Sequence, residues 1–505
     1  MENSKPEEKK SNDDLKIMEW RFNQFLGEKL TNDQIKQDPE NESFIVTNCK
    51  FSPDGNYVAV SDKGGRVIIF KKNESKSKSS KLSDSGNESE KEDKTKKFAK
   101  LDYFYEYPAH EKDFDIHKSI EYPEEIKSMT ILPSISHNKL DIMTAGYRTI
   151  KLDRIYKDKV RVFEQNMNSN KDGKIMIPKI SYIKSEMKHK SKRIFRCTHS
   201  NEINSVSDNR INRNNFISSD DFKVMLWDLN VANEVFNVVD IDSQTQNMEV
   251  ENPEKITKSV FCDFNPHLFA YGTNNGNIKF CDLRSSSDHL SFTKNLRDEN
   301  SNLSKTIFAN SLLSVHDICM NFSNQYTIAT RHYLSVNLWD IRKEKEPTNK
   351  FLLYEPIINK LSYLYQNNYL SDKFSLSTDK DGKYLLTGGY NNMFHVIDIE
   401  QRLNTQIVID DSNEKIMNTN VIRKINSKGC CFYKKEDPNI NNIDFDKKIV
   451  CHAYSPNENY SMLINLNCIY SYSGSITKKD NSSSSAARKD GIASSQKSNG
   501  DKINK

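Results

Sequence analysis

The sequence predicts an all-β fold, a seven-bladed β-propeller. The first observation behind this prediction is a segment, residues 198–242, that divides into four short strand patterns at 203–208, 215–218, 222–229 and 235–240. The second observation is that the third of these patterns recurs along the chain. A propeller consists of four-stranded sheets repeated around an axis, so a four-strand unit with a recurring third strand is typical of this fold.

The third strand of this segment is apolar on both faces. Val224 and Leu226 alternate with Met225 and Trp227, and side chains alternate between the two faces of a strand. A strand that is apolar on both faces is expected to be covered on both sides. The polar turn at 218–221, Ser-Ser-Asp-Asp, precedes it, and the strand ends in Trp-Asp. These features are typical of a WD repeat, so the predicted fold is a seven-bladed WD40 β-propeller.

The pattern recurs often enough to complete a ring. The third strands end at Phe70, Asp153, Trp227, Cys281, Trp339, Ile397 and Tyr472. Every interval between successive ends is longer than the roughly 40–45 residues of a plain WD repeat. The blades are therefore enlarged, and Asp153 occupies the aromatic position in the second of them.

The predicted propeller spans residues 15–472, and the strand pattern at 20–25 is expected to close the ring by pairing with the last blade. Three polar segments rich in Lys, Ser, Asn or Glu lie outside this pattern or interrupt it. They are an N-terminus at 1–14, an insertion at 71–100 and a tail at 473–505. Such segments cannot bury enough apolar surface to fold, so we expect them to be disordered.

Residues 154–192 are too long for an ordinary blade connection. An apolar, strand-like run at 175–183 follows an Asn-rich turn, which predicts a β-hairpin that projects from blade two. Its apolar side chains would be exposed unless a partner covers them. A second long stretch, 402–441, is basic and rich in Asn, and we expect it to be a loop.

Composition excludes several classes of function. The chain carries 74 basic and 70 acidic residues, a net charge of +4, without the basic excess of a general nucleic-acid binder. It has no membrane-spanning run and no apolar signal core, so we expect a cytoplasmic or nuclear protein. None of its nine cysteines forms a CxxC pair, so we predict buried thiols and neither a metal site nor a cofactor.

One group of residues has the composition of a catalytic triad. His199, Ser219 and Asp221 could act as base, nucleophile and orienting acid. The same spacing, ending at Trp227, matches the His–Ser/Thr–Asp–Trp hydrogen-bond network inside many WD blades. No nucleophile elbow or HExxH motif is present, so we favour the structural interpretation and predict that the chain is not an enzyme.

The motifs also resemble a particular family, the WD-repeat regulatory B subunit (55-kilodalton class) of protein phosphatase 2A. The resemblance extends from about Trp20 to Tyr472. It is carried by SDKGGRVIIF, AHEKDFDIHKSIEYPEEIK, SSDDFKVMLWDL with FNVVDI, NPHLFAYGTNNGNIKFCDLR, TRHYLSVNLWD, TGGYNNMFHVID and DFDKKI.

The resemblance implies a regulatory subunit that does no chemistry itself. It would join a helical-repeat scaffold A subunit and a metallophosphatase catalytic C subunit, and would hold phosphoprotein substrates beside the catalytic metals. The resemblance further implies that the blade-two hairpin grips the scaffold. The scaffold-binding residues would then be Ile175, Ile177, Pro178, Ile180 and Tyr182.

Substrates would dock around an acidic groove on the top of the ring, where carboxylates could attract basic segments beside a phosphosite. The implied docking residues are Glu42, Lys63, Glu111, Asp113, Asp115, Glu124, Glu125, Asp220, Asp221 and Ile256. Each has a plain alternative: Asp221 could be purely structural, and Lys63 and Glu42 could simply be solvated. The chain departs from the family at His332, where an acidic residue is expected, and at Asn337, where a lysine is expected.

Two other functions stay open from the sequence. The family motifs could serve only to fold the ring, and the protein would then be a general WD-repeat interaction platform in another complex. A propeller enzyme is the third hypothesis, and it requires turnover by the isolated chain.

Overall fold

A computed structural model describes most of the chain. The described residues are 16–28, 38–73, 100–115, 119–122, 124–133, 139–163, 180–196, 199–241, 253–285, 293–301, 303, 306–320, 322, 324–353, 355–409, 423–426 and 443–478. The following statements concern these residues.

The strands form seven antiparallel sheets, which are the seven predicted blades. Blade one contains β2 (Val46–Phe51), β3 (Tyr57–Asp62), β4 (Arg66–Asn73) and β5 (Lys100–Pro108). A two-stranded sheet, β6 (Asp113–Asp115) with β7 (Ile120–Tyr122), precedes blade two, which contains β8 (Ser128–Leu132), β9 (Lys139–Ala145), β10 (Thr149–Phe163) and β11 (Ile180–Arg196). Blade three contains β12 (Ser205–Asp208), β13 (Asn215–Ser219), β14 (Lys223–Asp228) and β15 (Val231–Asp240).

The remaining blades repeat this order. Blade four contains β16 (Ile256–Phe261), β17 (Leu268–Thr273), β18 (Ile278–Asp282) and β19 (Lys294–Leu296). Blade five contains β20 (Asp317–Cys319), β21 (Thr327–Arg331), β22 (Ser335–Asp340) and β23 (Asn349–Leu352). Blade six contains β24 (Leu376–Thr378), β25 (Tyr384–Gly388), β26 (Met393–Asp398), β27 (Leu403–Val408) and a fifth strand, β28 (Arg423–Asn426). Blade seven contains β29 (Cys451–Tyr454), β30 (Tyr460–Asn465) and β31 (Cys468–Lys478), with β1 (Lys16–Leu26) as its outer strand.

The helices described are short and lie in connections. They are α1 (Pro39–Ser43), α2 (Ala309–Leu313) and α3 (Leu361–Gln366), together with 3-10 turns at Glu355–Lys360 and Tyr369–Ser371. In the part of the chain that the structure describes, none of the helices has the length and apolar character needed to cross a bilayer.

The ring closes through the N-terminal strand, as the sequence predicts. β1 pairs antiparallel with β31 from Lys16↔Lys478 to Leu26↔Ile469. Trp20 is 1% exposed and makes edge-to-face contacts with Phe394 of blade six and Tyr454 of blade seven, at centroid distances of 6.3 and 5.9 Å. β1 therefore joins the first part of the chain to the last two blades.

The core lies between neighbouring blades, as expected for strands that are apolar on both faces. Between blades one and two, buried side chains from both sheets form one cluster; these include Ala59, Val67, Ile69, Tyr107, Met129, Ile131, Leu140 and Ile142. Similar clusters fill the other junctions. Each blade is thus stabilised mainly by its two neighbours.

The antiparallel order gives the ring two distinct faces. The upper face is the face formed by the turns between the second and third strands of each blade and by the connections from one blade to the next. The connections from the first to the second strand and from the third to the fourth strand form the lower face. The end of β4 and the start of β5 therefore lie at the lower face, as do the end of β10 and the start of β11.

Blade two carries a long hairpin, as predicted. β9 pairs with β10 only as far as Tyr156↔Lys139, whereas β10 and β11 pair with each other from Thr149↔Arg196 to Phe163↔Ile180. From Lys157↔Met187 outward, β10 and β11 are paired only with each other. We call this part, Lys157–Phe163 with Ile180–Met187, the arm.

Three boundaries differ from the sequence prediction. β31 continues to Lys478, so Ser473–Lys478, assigned to the tail, is strand. The predicted loop at 402–441 contains β27 and β28, and Lys71–Asn73 and Lys100 of the predicted insertion belong to β4 and β5. The segments assigned to the tail and to the insertion are mostly polar and are held by backbone pairing, which does not require an apolar side chain. β27, within the predicted loop, carries the buried Ile407 and pairs with β28.

Candidate docking surface

A buried hydrogen-bond network organises the upper part of blade three. Trp227 Nε1 donates to Ser218 Oγ at 2.8 Å, and Ser218 Oγ lies 2.8 Å from His199 Nε2. The other ring nitrogen, Nδ1, lies 2.9 Å from Asp220 Oδ2. Because a carboxylate only accepts, Nδ1 carries the proton and Nε2 accepts from the Ser218 hydroxyl. The chain of donors runs from Trp227 through Ser218 and His199 to Asp220.

The geometry of this network decides between a catalytic triad and a structural hydrogen-bond network. The serine and the aspartate are Ser218 and Asp220, so the assignment of Ser219 and Asp221 is wrong by one position in each case. His199 is 4% exposed and Ser218 is fully buried, so a substrate could not reach the hydroxyl. The group is therefore a structural WD network.

Burial by itself would raise the pKa of the Asp220 carboxyl. Hydrogen bonds from His199 and from the backbone N–H groups of Phe222 and Lys223 outweigh this effect, and the net result is a lowered pKa. Asp220 is 1% exposed and its carboxylate is used inside blade three, so its assignment to substrate docking stays a prediction that the structure does not support. Ile256, also 1% exposed, is not available for docking either, because its side chain packs in the core between blades three and four.

Blade two has a related hydrogen-bond network, but its acidic residue comes from a different position in the chain. His110 Nε2 lies 3.1 Å from Thr144 Oγ1, which corresponds to Ser218. Gly146 stands at the position that corresponds to Asp220, and a Cβ there would overlap the Glu124 carboxylate. That carboxylate lies 3.3 Å from His110 Nδ1 and accepts from Tyr147 N at 3.2 Å. Glu124 therefore supplies the acid that the turn lacks.

These contacts determine the direction in which the pKa of the Glu124 carboxyl is shifted. Burial would raise its pKa, but the His110 ring, the Thr149 hydroxyl and the Tyr147 amide lower it overall. The half-buried side chain was predicted to dock substrates, and the structure gives it these partners within blade two.

The accessible members of the predicted docking set form ion pairs on the upper face. Glu42 lies 3.1 Å from Lys63, and Glu125 lies 3.0 Å from Lys127. Asp221 lies 2.9 Å from Lys255. Each predicted carboxylate in these pairs is therefore accompanied by a lysine, so the surface at these points is a set of ion pairs rather than an uninterrupted acidic groove.

These pairs are weak enough to be exchanged. Partly exposed ion pairs of this kind typically contribute about 0.2–1 kcal/mol. A charged segment of a partner could therefore replace one member of a pair at low cost. The pairing partners Lys127 and Lys255 were not singled out from the sequence, because a lysine near a turn gives no signal of its own.

The acidic passage before blade two lies on the same face. Glu111 is exposed, and Asp113 and Asp115 belong to β6, which pairs with β7. The side chains of these two aspartates lie outside what the structure describes. Of the predicted arm residues, Ile175, Ile177 and Pro178 lie outside the described residues, and Ile180 and Tyr182 are placed by their backbone in β11.

The two departures from the family pattern are both buried. His332 is 6% exposed and stands at the position in blade five that corresponds to Asp220. Its Nδ1 donates to the Leu313 carbonyl at 2.8 Å, and its Nε2 lies 3.0 Å from Thr330 Oγ1, which also accepts from Trp339 Nε1 at 2.9 Å. Burial lowers the pKa of His332 to about 4. The ring is therefore neutral at ordinary pH and holds blade five together.

No group of three or more His, Cys, Asp or Glu side chains suited to a metal ion occurs among the described residues. The buried Cys262 and Cys281 are free thiols, and burial raises the pKa of each to about 12. At ordinary pH they stay protonated and unreactive.

The sheets and the blade-three network define the class of this protein: it is a WD-repeat β-propeller. A protein-family model described as "WD domain, G-beta repeat" matches residues 34–71, which include β2, β3 and most of β4 of blade one.

Two curated proteins are similar to nearly the whole chain. The chain is 28% identical over 479 residues to serine/threonine-protein phosphatase 2A regulatory subunit sur-6 of Caenorhabditis elegans, with 90% of each protein covered. It is 28% identical over 507 residues to serine/threonine-protein phosphatase 2A regulatory subunit phr2AB of Dictyostelium discoideum, with 91% of this chain and 99% of that protein covered. The resemblance to the WD-repeat regulatory B subunits, inferred from motifs, is confirmed.

Among solved structures, Raptor of Chaetomium thermophilum is similar with a TM-score of 0.47 and 12% identity, covering 85% of this chain and 28% of that chain. A similarity at this level supports no conclusion about function.

Proposed function

We propose that the protein is a non-catalytic regulatory subunit of a heterotrimeric serine/threonine phosphatase of the protein phosphatase 2A type. The observation that carries the proposal is the similarity to two such regulatory subunits over nine-tenths of the chain. In this proposal the propeller binds a helical-repeat scaffold A subunit and a catalytic C subunit, and acts in the cytoplasm or the nucleus.

The non-catalytic role has support from the geometry of blade three. His199, the base of the triad that the sequence offered, is buried, and its two ring nitrogens are used by Ser218 and Asp220 inside the blade. Chemistry would then belong to the catalytic subunit, and the propeller would act by raising the concentration of substrate beside it.

The arm is the proposed scaffold-binding element. An isolated two-stranded hairpin is at best marginally stable in water, and among the described residues the arm pairs with no third strand. At the base of the arm, Lys188 lies 2.9 Å from Asp158 of the arm, an exposed pair that adds little stability. A partner that covers the arm would supply the stabilisation that a third strand supplies elsewhere in the ring.

The upper face is the proposed docking surface for phosphoprotein substrates. Glu42, Lys63, Glu125 and Asp221 are accessible there in exchangeable ion pairs. Basic segments beside a phosphosite would exchange with the lysines of these pairs, which favours encounter more than tight binding.

The arm can be removed without touching the blade. Lys157 and Met187 are paired partners, so residues 158–186 can be replaced by Asn-Gly, which favours a tight hairpin turn. We expect this variant to keep the unfolding midpoint of the parent protein and to lose at least about a hundredfold in affinity for immobilised scaffold subunit, since about 3 kcal/mol of contact would be lost.

The matched control removes another segment between the third and fourth strands of a blade. Asn73 and Lys100 are also paired, so residues 74–99 can be replaced by Asn-Gly in the same way. The control is expected to bind scaffold like the parent protein. Parental affinity of the folded variant without the arm would contradict the role of the arm.

A further inference from the structure

The hairpin of blade two concentrates positive charge. Residues 154–196 contain 13 of the 74 basic residues of the chain and only 4 of its 70 acidic residues, so this segment carries a net charge of +9. The rest of the chain, with 61 basic and 66 acidic residues, carries a net charge of −5. The nearly balanced composition of the whole chain therefore includes one strongly basic element.

The carboxylates in the two hairpin strands, β10 and β11, are already engaged. Asp158 lies 2.9 Å from Lys188, and Glu186 lies 3.1 Å from Lys184. Asp153, the third carboxylate of these strands, is 3% exposed inside blade two. The two strands thus present no accessible carboxylate that lacks a lysine of its own.

Several cations of the same strands have no acidic partner. Arg154 and Lys192 share Asp141 of β9, at 2.6 and 3.8 Å. Five other basic side chains form no ion pair with any residue that the structure describes: Lys157, Lys159, Lys190, Arg193 and Arg196. Four of these five are exposed, and Arg193 is half-buried. They give the hairpin an uncompensated positive surface, which favours an anionic partner.

These cations follow the hairpin from its base into the arm. Arg196 is paired with Thr149 at the inner end of the two strands, and Lys159 is paired with Ser185 in the arm. From Thr149 to Lys159 the strand extends about 33 Å at the usual rise per residue. An elongated protein surface can contact cations along this whole length. A membrane across the end of the arm would lie farther from most of them than the Debye length of about 8 Å.

The outer part of the arm adds an apolar component. Its sequence includes Val160, Val162, Phe163, Ile180 and Ile183. Apolar side chains suit the core of a protein–protein interface, whereas non-specific nucleic-acid binding depends on phosphate contacts. Basic and apolar residues on one hairpin therefore favour a protein partner that presents carboxylates around an apolar surface.

We propose that the arm and its base, residues 188–196, bind an acidic surface of the scaffold subunit. The five unpaired cations of the hairpin face its carboxylates. This inference rests on the proposed function and adds the chemistry of the partner surface. Complementary charges of this kind accelerate association more than they slow dissociation, and salt screens the effect.

The test measures association and dissociation rates of the full-length chain on immobilised scaffold subunit at about 0.05, 0.15 and 0.5 M NaCl. The association rate of the parent protein is expected to fall at least about tenfold over this range. Lys157→Glu with Lys159→Glu reverses two exposed charges of the arm. At the lowest salt this variant is expected to associate at least about tenfold more slowly than the parent protein, and the difference should narrow at the highest salt.

The matched control is Lys345→Glu with Lys380→Glu. It makes the same change in net charge at exposed positions in blades five and six, away from the arm and from the upper face. We expect it to associate within about twofold of the parent protein, because screening limits the reach of distant charges.

A parental association rate that does not depend on salt, or equal rates for the parent and the arm variant, would overturn the acidic-surface proposal and leave the regulatory-subunit role intact. Lys157→Gln with Lys159→Gln makes the same comparison with a smaller expected effect if the reversed variant does not fold. No scaffold binding by the parent protein would contradict the proposed function itself. Binding of a DNA duplex or of phosphatidylserine vesicles that the arm variant loses, with its scaffold binding unchanged, would assign the cations to another class of partner and overturn the proposal.

Discussion

At the residue scale, the network of blade three joins elements that are far apart in sequence. His199 lies in the connection that enters the blade, Ser218 in β13, Asp220 in the following turn and Trp227 in β14. Because all four side chains are buried, removal of one member leaves the others without partners in a place that water does not reach.

Asp220→Ala is therefore expected to destabilise the protein by about 2–3 kcal/mol, since three donors lose their acceptor. Denaturant unfolding followed by tryptophan fluorescence measures this loss. Asp221→Ala is the matched control, and its partly exposed ion pair predicts a loss below about 1 kcal/mol. Equal losses for the two variants would contradict the assignment of the network to Asp220.

The sequence could predict this network but not its register. Ser218-Ser219 and Asp220-Asp221 are doublets, and both members of each have the same chemistry. Which member points inward depends on the alternation of β13 and on the turn geometry, which a doublet does not reveal. The role of Glu124 in the blade-two network was harder to predict, because Glu124 lies in the connection before the blade and not in the turn that holds Asp220 in blade three. The only sign in the sequence is Gly146, which stands in that turn without a side chain.

At the scale of elements, β1 is anchored in the ring by a buried side chain, Trp20. Trp20 packs against both Phe394 and Tyr454 and belongs to the buried cluster between blades six and seven. Trp20→Ala is expected to cost about 3–5 kcal/mol, the usual range for a buried aromatic residue.

Thermal and denaturant unfolding test this expectation, with the exposed neighbour Arg21→Ala as the control. The unfolding transition should move to lower denaturant for Trp20→Ala and stay near the parent value for Arg21→Ala. If Trp20→Ala unfolds like the parent protein, β1 does not stabilise the closed ring.

The seven third strands were predictable because each is covered on both sides and so carries apolar residues in both alternating sets. Polar strand segments lack this signal. Ser473–Lys478 of β31 and the polar β28 are held by backbone pairs, so their composition resembled that of a tail and a loop. The arm was predictable from the length of its segment, whereas its paired residues followed only from the register of β10 and β11.

At the scale of the whole molecule, four of the described histidines are buried with a lowered pKa. Burial lowers the pKa of His332 and His452 to about 4 and that of His395 to about 3, and it also lowers the pKa of His316. The unfolded chain, with ordinary histidine pKa values near 6.5, binds these protons at higher pH than the folded ring does. The contribution of these four neutral rings to the free energy of unfolding is therefore complete above about pH 6.5 and is lost as the pH falls toward 4.

The expected slope is up to about 1.4 kcal/mol per pH unit for each histidine below pH 6. Unfolding free energies measured at several pH values between 7.5 and 4.5 test this. His332→Gln should be less stable at pH 7.5 but show a shallower pH dependence than the parent protein. A stability that does not change over this range would show that the four rings are not held neutral.

The two faces of the ring provide the basis of the functional account. The upper face presents exchangeable ion pairs, and the arm extends from strand ends that lie at the lower face. One face would thus be available to substrates while the arm binds a scaffold.

The most direct test of the central claim is reconstitution. The purified chain is mixed with the scaffold and catalytic subunits of the same organism and separated by size-exclusion chromatography. The account predicts one peak that contains all three proteins. Separate elution of a folded chain from the scaffold and catalytic subunits would contradict it and would favour a WD-repeat platform that serves another complex.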